Sequence, residues 1–446
     1  MRTAPITPGA AWWRAPCYAA RVHPFLLRFA VVVSLLGLLT GCSSGFSGRM
    51  DRARSALDAR SPRAALDAIN RELAVKRDDQ LPNDLHGDDA LMVLNRAAVQ
   101  QAAGAIANSQ RDYEAADKAL DFLDLSHATV DELGRWLYSD SAGRYVAPAH
   151  EKVLLNALNM LNYLEQRDLS GAAVEARRLA VMSRYLQSRE GGESEAVKLG
   201  ALLAGFAFER SGNLDEARIW YEKAGAPGPA TGPRAESGDT SELLLVVGWG
   251  RVPHRVANYV PLGQAVFEAR RSTGLSFEGS GVLTQVHYPT LALERDPGPR
   301  PEIMVDDEPA AIDEVLDVTK AVKSEWSRVQ GRIYAAAITR ALAREALWRT
   351  GQKLGEAAAD ESSSKEMRTV SGILAIASLL GAAGATVADV PDTRSWETLP
   401  ARIAVVRMKV KPGAHRVHLA VSGATRDATL IVPGDGYAAA SLFAPW

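Results

Sequence analysis

Hydrophobic residues recur at helical spacing through the first half of the chain, whereas short apolar runs dominate the second half. From Met50 onward the first half is rich in Ala, Leu, Arg and Glu and poor in β-branched residues, a composition that favours helices. Residues 52–73 are typical of a helical hairpin that turns at Ser61 and Pro62, since Ser caps helix N-termini and Pro is tolerated in the first turn. The pattern predicts a domain of helical hairpins over residues 51–228.

One of the predicted hairpins resembles a tetratricopeptide repeat. Small residues at Gly205 and Ala217 allow its two helices to approach, and Tyr221 fills the gap beside them. The other positions that match the repeat are Phe208, Ala224 and Pro229.

Two weaker echoes of this repeat occur upstream. In one, Gly104 and Asp112 take the places of Gly205 and Asn213; the other surrounds Tyr163 and Asp168. Because the echoes are irregularly spaced, we predict an irregular tetratricopeptide-like solenoid, with a generic helical bundle as the alternative. Such solenoids usually bind peptides or proteins along a concave face.

Residues 224–239 are dense in Pro and Gly, which predicts a linker before a second domain at 240–446. Apolar runs and alternating patterns predict strands at 243–247, 255–260, 283–288, 302–305, 403–410, 415–421 and 429–432. Helical periodicity predicts a long helix near 310–350, and the uncharged run 373–388 suits a buried helix better than a membrane-contacting one. The predicted fold class is α+β, a helical solenoid followed by a mixed domain with a sheet on the long helix.

The first 45 residues indicate export. Residues 1–28 contain four arginines and no acid, and an apolar run over 29–39 leads into Leu39-Thr40-Gly41-Cys42. This stretch resembles the lipobox of bacterial lipoproteins, whose cysteine thiol becomes a thioether to diacylglycerol. The resemblance implies a signal peptide at 1–41, a lipidated Cys42 and a tether at 42–50, the alternative being an ordinary signal peptide with an incidental cysteine. Ser43, rather than Asp, at the next position implies the periplasmic face of the outer membrane.

Composition narrows the possible functions. The 446 residues carry 51 basic and 53 acidic side chains, which gives no electrostatic basis for nucleic-acid binding. Removal of 1–41 leaves 47 cations, a net charge of −6, and takes away Cys17. Since Cys42 is then lipidated, neither a disulfide nor cysteine catalysis is expected in the mature chain.

No motif predicts a catalytic residue, a cofactor or a metal site. Phosphate-loop, dinucleotide-binding and zinc-protease patterns are absent from the sequence. The Gly-x-Ser-x-Gly match at 41–45 straddles the cleavage site, so it is a coincidence. His415 and His418 point to opposite faces of a predicted strand, and the acidic run 306–308 fits a solvated turn.

The second domain contains a distinctive stretch, Asp392-Thr393-Arg394-Ser395-Trp396-Glu397-Thr398-Leu399-Pro400. We predict that Asp392 and Arg394 pair across a turn with Trp396 buried beneath, a structural corner for which ligand binding is the alternative. With residues 245–256, the predicted helix at 313–349 and residues 411–413, the stretch resembles an uncharacterised family of proteobacterial lipoproteins with tetratricopeptide-like N-terminal halves. The family has no established activity, but its members often lie near lipoproteins that activate penicillin-binding proteins, so the resemblance implies a place in the cell envelope.

Together these features predict a non-enzymatic scaffold for cell-envelope assembly. Its expected partners are the membrane, through acyl chains on Cys42, and periplasmic or outer-membrane proteins, through the helical region. A glycan- or peptidoglycan-binding protein, or a hydrolase that uses unidentified carboxylates, is the alternative.

Overall fold

Helices occupy the first half of the computed structural model, as the apolar spacing predicts. The structure describes residues 45–85, 88–120, 145, 147–190, 195–226, 241–261, 285–292, 296–312, 314–359, 390–421, 423–434 and 436–446. Within these ranges the first half contains α1 (Phe46–Asp58), α2 (Pro62–Glu72), α3 (Asp89–Ala102), α4 (Ile106–Ala119), α5 (Ala149–Glu165), α6 (Leu169–Glu190), α7 (Glu195–Arg210) and α8 (Leu214–Ala224). The predicted linker at 224–239 and the apolar run at 373–388 lie largely or wholly outside the described residues.

The eight helices form four hairpins that share one turn geometry. The residue two positions after the end of the first helix of each pair has a positive φ: Arg60, Gly104, Arg167 and Gly212. The amide of the next residue donates to a carbonyl five positions back, as in Asn213 N–H to Phe208 O at 2.9 Å. The predicted hairpins are therefore present, and Ser61 caps α2 as expected, accepting the N–H of Ala64.

The geometry explains one predicted repeat position and corrects another. A Cβ at Gly205 would lie 2.7 Å from the Tyr221 ring, so the absence of a side chain lets α7 and α8 approach, as predicted. Gly104, in contrast, lies in the turn after α3 and corresponds to Gly212 rather than to Gly205. The predicted alignment of the first echo is therefore displaced by seven residues, about two helical turns, from its structural equivalent.

The predicted tether at 42–50 is wrong over residues 46–50. Phe46 and Met50 belong to α1 and are buried. The Ser47 N–H donates to Thr393 Oγ1 at 3.1 Å, a contact between residues at opposite ends of the chain. Tertiary packing therefore orders a stretch whose Gly- and Ser-rich sequence resembles a linker.

The second half contains ten strands among the described residues: β1 (Ser241–Trp249), β2 (Arg255–Pro261), β3 (Gln285–Leu291), β4 (Glu302–Val305), β5 (Glu308–Pro309), β6 (Glu314–Asp317), β7 (Arg402–Val410), β8 (Gly413–Val421), β9 (Ala424–Val432) and β10 (Tyr437–Ala444). They form a central sheet of order β10-β1-β7-β6, a second sheet of order β5-β4-β8-β9, and the β2-β3 hairpin. The α+β fold class is confirmed.

The long helix differs from its prediction at its N-terminal end. Helix α9 covers Val318–Ala359, and residues 314–317, predicted as helical, form β6 antiparallel to β7. Asp317 caps α9 by accepting the N–H of Lys320 at 2.8 Å. The predicted helix starts too early because Leu316 fits the apolar spacing of a helix, although the structure buries it in a strand.

The Ala-rich strand β10 was not predicted. It pairs in parallel with β1, and its Ser441 N–H donates to Glu165 at the end of α5 at 2.8 Å. Alanine has low strand propensity, so this strand forms because the edge of β1 and the helices beside it complete its hydrogen bonds and burial.

The helices and strands stack in layers. Helices α3 and α5 contact β10, α7 contacts β6, and their partners α4, α6 and α8 lie further out. Every residue from Ala90 to Ala102 in α3 is buried, as expected for a helix covered on all sides. We call α3, α5 and α7 the inner helices, and α4, α6 and α8 the outer helices.

The central sheet is buried on both faces. Leu244 and Val246 of β1 pack with the helices, whereas Leu243, Leu245 and Val247 pack with the second sheet. This explains the continuous apolar run in β1. The change of sequence pattern near residue 230 thus marks where the strands begin, but the N-terminal helices share one hydrophobic cluster with β1, β7 and β10, and all belong to one compact unit.

Candidate functional site

The residues predicted to form a corner are brought together by the structure. Two parallel hydrogen bonds join the Arg394 guanidinium to the Asp392 carboxylate, at 2.7 Å from Nε and 3.0 Å from Nη2. Trp396 is only 1% exposed and contacts the Tyr113 ring edge-to-face, with ring centroids 5.8 Å apart. The pairing and the burial are those that the structural-corner interpretation requires.

Two polar residues of the inner helices hold this segment in place. Asn95 of α3 accepts the N–H groups of Glu397 and Thr398 through Oδ1, at 2.9 and 3.2 Å. Glu151 of α5 accepts the N–H of Trp396 at 2.9 Å. These hydrogen bonds satisfy buried amides of a segment that has no regular secondary structure.

Sequence reasoning missed Asn95 and Glu151. The available signal was the pair Asn95-Arg96 within the otherwise apolar stretch 90–99, since a buried polar side chain on an apolar helix requires a partner. Arg96 meets that requirement locally, because it forms a fully buried ion pair with Asp112, at 2.6 Å between Nε and Oδ2. The partner of Asn95 lies about 300 residues away and has no local signature.

A charged cluster extends from the corner toward the surface. The Arg394 guanidinium lies 5.6 Å from the centroid of the Tyr145 ring and 3.6 Å from the Asp88 carboxylate. Burial raises the pKa of Asp88, although Arg394 and Arg49 oppose that shift. The Tyr145 hydroxyl donates to Glu151 at 2.6 Å, and burial raises the pKa of both groups.

A second ion pair continues this cluster onto α9. His150 Nδ1 lies 2.7 Å from Glu325 Oε2. Burial acts to raise the pKa of Glu325, but the hydrogen bond and charge of His150, together with two nearby arginines, lower that pKa overall. Arg255 stacks over Trp326 at 5.5 Å, and its backbone N–H donates to Ser395 Oγ at 3.4 Å. The cluster therefore links α5, α9 and β2 to the corner.

The chemistry of the cluster is that of a structural clamp. Both carboxylate oxygens of Glu151 accept hydrogen bonds from within the protein, one from Trp396 and one from Tyr145. Glu397, which is also buried, is paired with Arg54 of α1. Among the described residues no group of three or more His, Cys, Asp or Glu side chains is arranged to hold a metal ion.

The other residues singled out in the sequence have structural partners. His415 is buried against Asp306 at 2.5 Å, and His418, on the opposite face of β8, contacts Asp427 at 2.7 Å. The acidic turn at 306–308 is tied to β8, since Asp306 also accepts the N–H of Arg416 at 2.9 Å. Cys42 lies outside the described residues.

The outer helices present a different kind of site. In the described part of the chain, six large hydrophobic side chains are strongly exposed, and four of them lie on α6 and α8. They are Val174, Val181, Leu214 and Ile219, with exposures of 42%, 57%, 51% and 59%. We call these four residues the outer-helix surface. Isolated exposed hydrophobic residues are ordinary, but their concentration on two helices that both pack on α7 makes these helices the candidate for protein interaction.

The inner helices cannot serve as such a surface, because the central sheet covers them. The face on which a solenoid would ordinarily bind a partner is thus occupied by the chain itself. No helix within the described ranges has an apolar stretch long enough to cross a membrane. Comparison of the chain with protein-family models, with curated proteins and with solved structures gives no match in any of the three.

Proposed function

We propose that the protein is an outer-membrane lipoprotein, anchored through acyl chains on Cys42, whose outer-helix surface binds another envelope protein. The lipobox-like stretch 39–42 supports the anchor. Cys42 precedes the first described residue, Gly45, by three positions. Three residues of fully extended chain reach at most about 10 Å. Such an anchor would hold the folded part close to the bilayer, where a scaffold for envelope assembly acts.

The scaffold proposal rests on a difference in burial between the inner and the outer helices. The inner helices are buried against the sheet, so their apolar residues are already used for folding. Val181 and Ile219 expose more than half of their surface on the outer layer. Exposed apolar side chains supported by a rigid helical layer suit the centre of a protein–protein interface.

Replacing Cys42 with Ala should abolish metabolic labelling with palmitate and release the protein from the membrane fraction. The thiol is the proposed attachment point, and several acyl chains on one residue are required for stable anchoring. Cys17→Ala is the matched control, because Cys17 lies in the proposed leader and its loss should leave labelling unchanged. Labelling that persists in the Cys42→Ala protein would contradict the anchor.

Replacing both Val181 and Ile219 with Glu should weaken binding of the partner at least 10-fold, since each buried charge opposes an apolar interface. In the otherwise unchanged chain, a photo-crosslinking amino acid at position 181 or 219 should form one discrete adduct that identifies the partner, and co-purification of that partner with the double variant measures the loss. Stability should change by less than about 0.5 kcal/mol per site, because both side chains are exposed.

Ile431→Glu is the matched control for this experiment. Ile431 is 71% exposed on β9, so the same chemical change is made on a strand rather than on an outer helix. Equal capture from positions 181, 219 and 431 would argue against a defined surface. A stoichiometric glycan ligand without any protein adduct would favour the glycan-binding alternative.

A further inference from the structure

One side of α6 carries a line of exposed side chains in which apolar and basic residues alternate. The four residues are Val174, Arg177, Val181 and Arg184, which follow one another at spacings of three, four and three positions. On a helix these spacings keep the side chains within about 80° of the circumference and along about 15 Å of the axis. We call these four residues the α6 stripe.

The α6 stripe lies on the side of the helix opposite to the one that packs on the protein. Ala172, Ala176, Leu179 and Met182 are buried, about half a turn away from the stripe. Through this side α6 packs on α5 and α7, where Leu179 lies against Gly200. The packed side holds the helix in place, so the stripe presents its side chains on a fixed base.

The two arginines of the stripe lack a charged partner in the described part of the chain. Neither Arg177 nor Arg184 forms a hydrogen bond or an ion pair with another described residue. Their neighbour Arg178 differs, because it pairs with Glu175 and Asp117 at 2.9 and 3.2 Å. The stripe therefore offers two guanidinium groups whose donors can bind an acceptor from outside.

The residue types of the stripe favour a protein partner over a membrane. All exposed charged residues of α6 up to position 184 are arginines, which are enriched in protein interfaces, whereas lysines are depleted there. A helix that lies on a membrane exposes a broad face of bulky apolar residues, but the stripe exposes two valines. A second copy of the same helix is disfavoured, since its arginines would face those of the first.

We propose that the α6 stripe binds an acidic amphipathic helix of the partner protein. Apolar side chains of that helix would pack on Val174 and Val181, and carboxylates beside them would pair with Arg177 and Arg184. After removal of residues 1–41 the chain has a net charge of −6, so most of its surface repels an acidic partner and the stripe attracts one. This inference rests on the proposed scaffold function and names the chemistry of its partner.

Binding of two designed helical peptides to the full-length protein in nonionic detergent tests the proposal. Both peptides carry leucine at every third or fourth position; one has glutamates beside the leucines, and the other has lysines at the same positions. In fluorescence anisotropy we expect the acidic peptide to bind saturably, at least 10-fold more tightly than the basic peptide, and to weaken as salt is raised. The double substitution Arg177→Glu with Arg184→Glu should reverse this preference, and the gained binding of the basic peptide shows that the variant is folded.

A matched variant separates the stripe from general effects of charge. Arg52→Glu with Arg71→Glu makes the same change of charge at exposed positions of α1 and α2. It should keep the wild-type preference for the acidic peptide. The proposal is overturned if the acidic peptide does not bind, or if the Arg177 and Arg184 variant keeps the preference of the wild type.

Two further results would separate this proposal from its alternatives. Saturable binding to phosphatidylglycerol vesicles that is lost in the Arg177 and Arg184 variant, and that the acidic peptide does not compete with, would assign the stripe to the membrane and overturn the proposal. If the partner crosslinked from position 181 binds the wild type and this variant equally, the scaffold function stands and the acidic helix is wrong. If no protein adduct forms, the scaffold function fails and this inference fails with it.

Discussion

Replacing Trp396 with Ala should lower the free energy of unfolding by about 3–5 kcal/mol, the cost typical of removing a large aromatic side chain from a packed core. Trp396 is 1% exposed and packs on Tyr113, so the substitution leaves a cavity lined by α4 and the corner. It also removes the indole N–H that donates to Thr398 Oγ1 at 3.2 Å. Chemical denaturation of the purified protein measures the change.

Two variants show whether the loss arises from packing. Trp396→Phe keeps an aromatic ring beside Tyr113 and should retain part of the stability. Tyr259→Ala removes an aromatic side chain that is 62% exposed, and it should cost less than about 0.5 kcal/mol. If Trp396→Ala were as stable as the wild type, Trp396 would not be the buried centre of a structural corner, and its ligand-binding interpretation would gain support.

The wild type should lose stability as pH rises from about 4.5 to about 8, and the Glu397→Gln variant should lack that loss. Burial raises the pKa of Glu397 from 4.5 to about 8, although Arg54 and Arg251 oppose that shift. One carboxylate oxygen is paired with Arg54, and the other, Oε1, has no hydrogen-bond partner among the described residues. The folded state therefore holds a proton that the unfolded state releases.

The direction of the pH effect follows from that difference in proton binding. Below pH 4.5 both states are protonated, and above pH 8 both are ionised, so stability changes only between these values. Within this window the unfolding free energy of the wild type, relative to Glu397→Gln, should fall by up to about 1.4 kcal/mol per pH unit. Denaturant titrations of both proteins from pH 4 to pH 9 measure it.

Comparing the wild type with Glu397→Gln separates the effect of Glu397 from the effects of other buried carboxylates. Burial also raises the pKa of Glu165, to about 7, but this contribution is common to both proteins and cancels in their difference. Glu222→Gln, at an exposed site on α8, serves as the surface control. A difference between wild type and Glu397→Gln that does not vary with pH would show that the Arg54 pair keeps the carboxylate ionised throughout.

The corner shows which contacts local sequence patterns can predict and which they cannot. Asp392 and Arg394 are two residues apart, so their pairing was predictable from spacing and charge. The residues that hold the corner in place were not, because Asn95 and Glu151 contact it across about 300 and 245 positions of the chain. The candidate interaction surface was equally inaccessible, since a periodic apolar pattern does not reveal which helix the sheet will cover.

By itself the sequence determined the type of most elements, because caps, turns and hydrophobic periodicity act over a few residues. The four hairpins, the cap at Ser61 and the close approach at Gly205 follow from such local rules. Only the tertiary structure decided the ordering of α1 against Thr393, the strand character of β10, and the covering of the inner helices. The reason is physical: burial and hydrogen-bond partners depend on distant parts of the chain, and for weakly biased segments they outweigh local propensity.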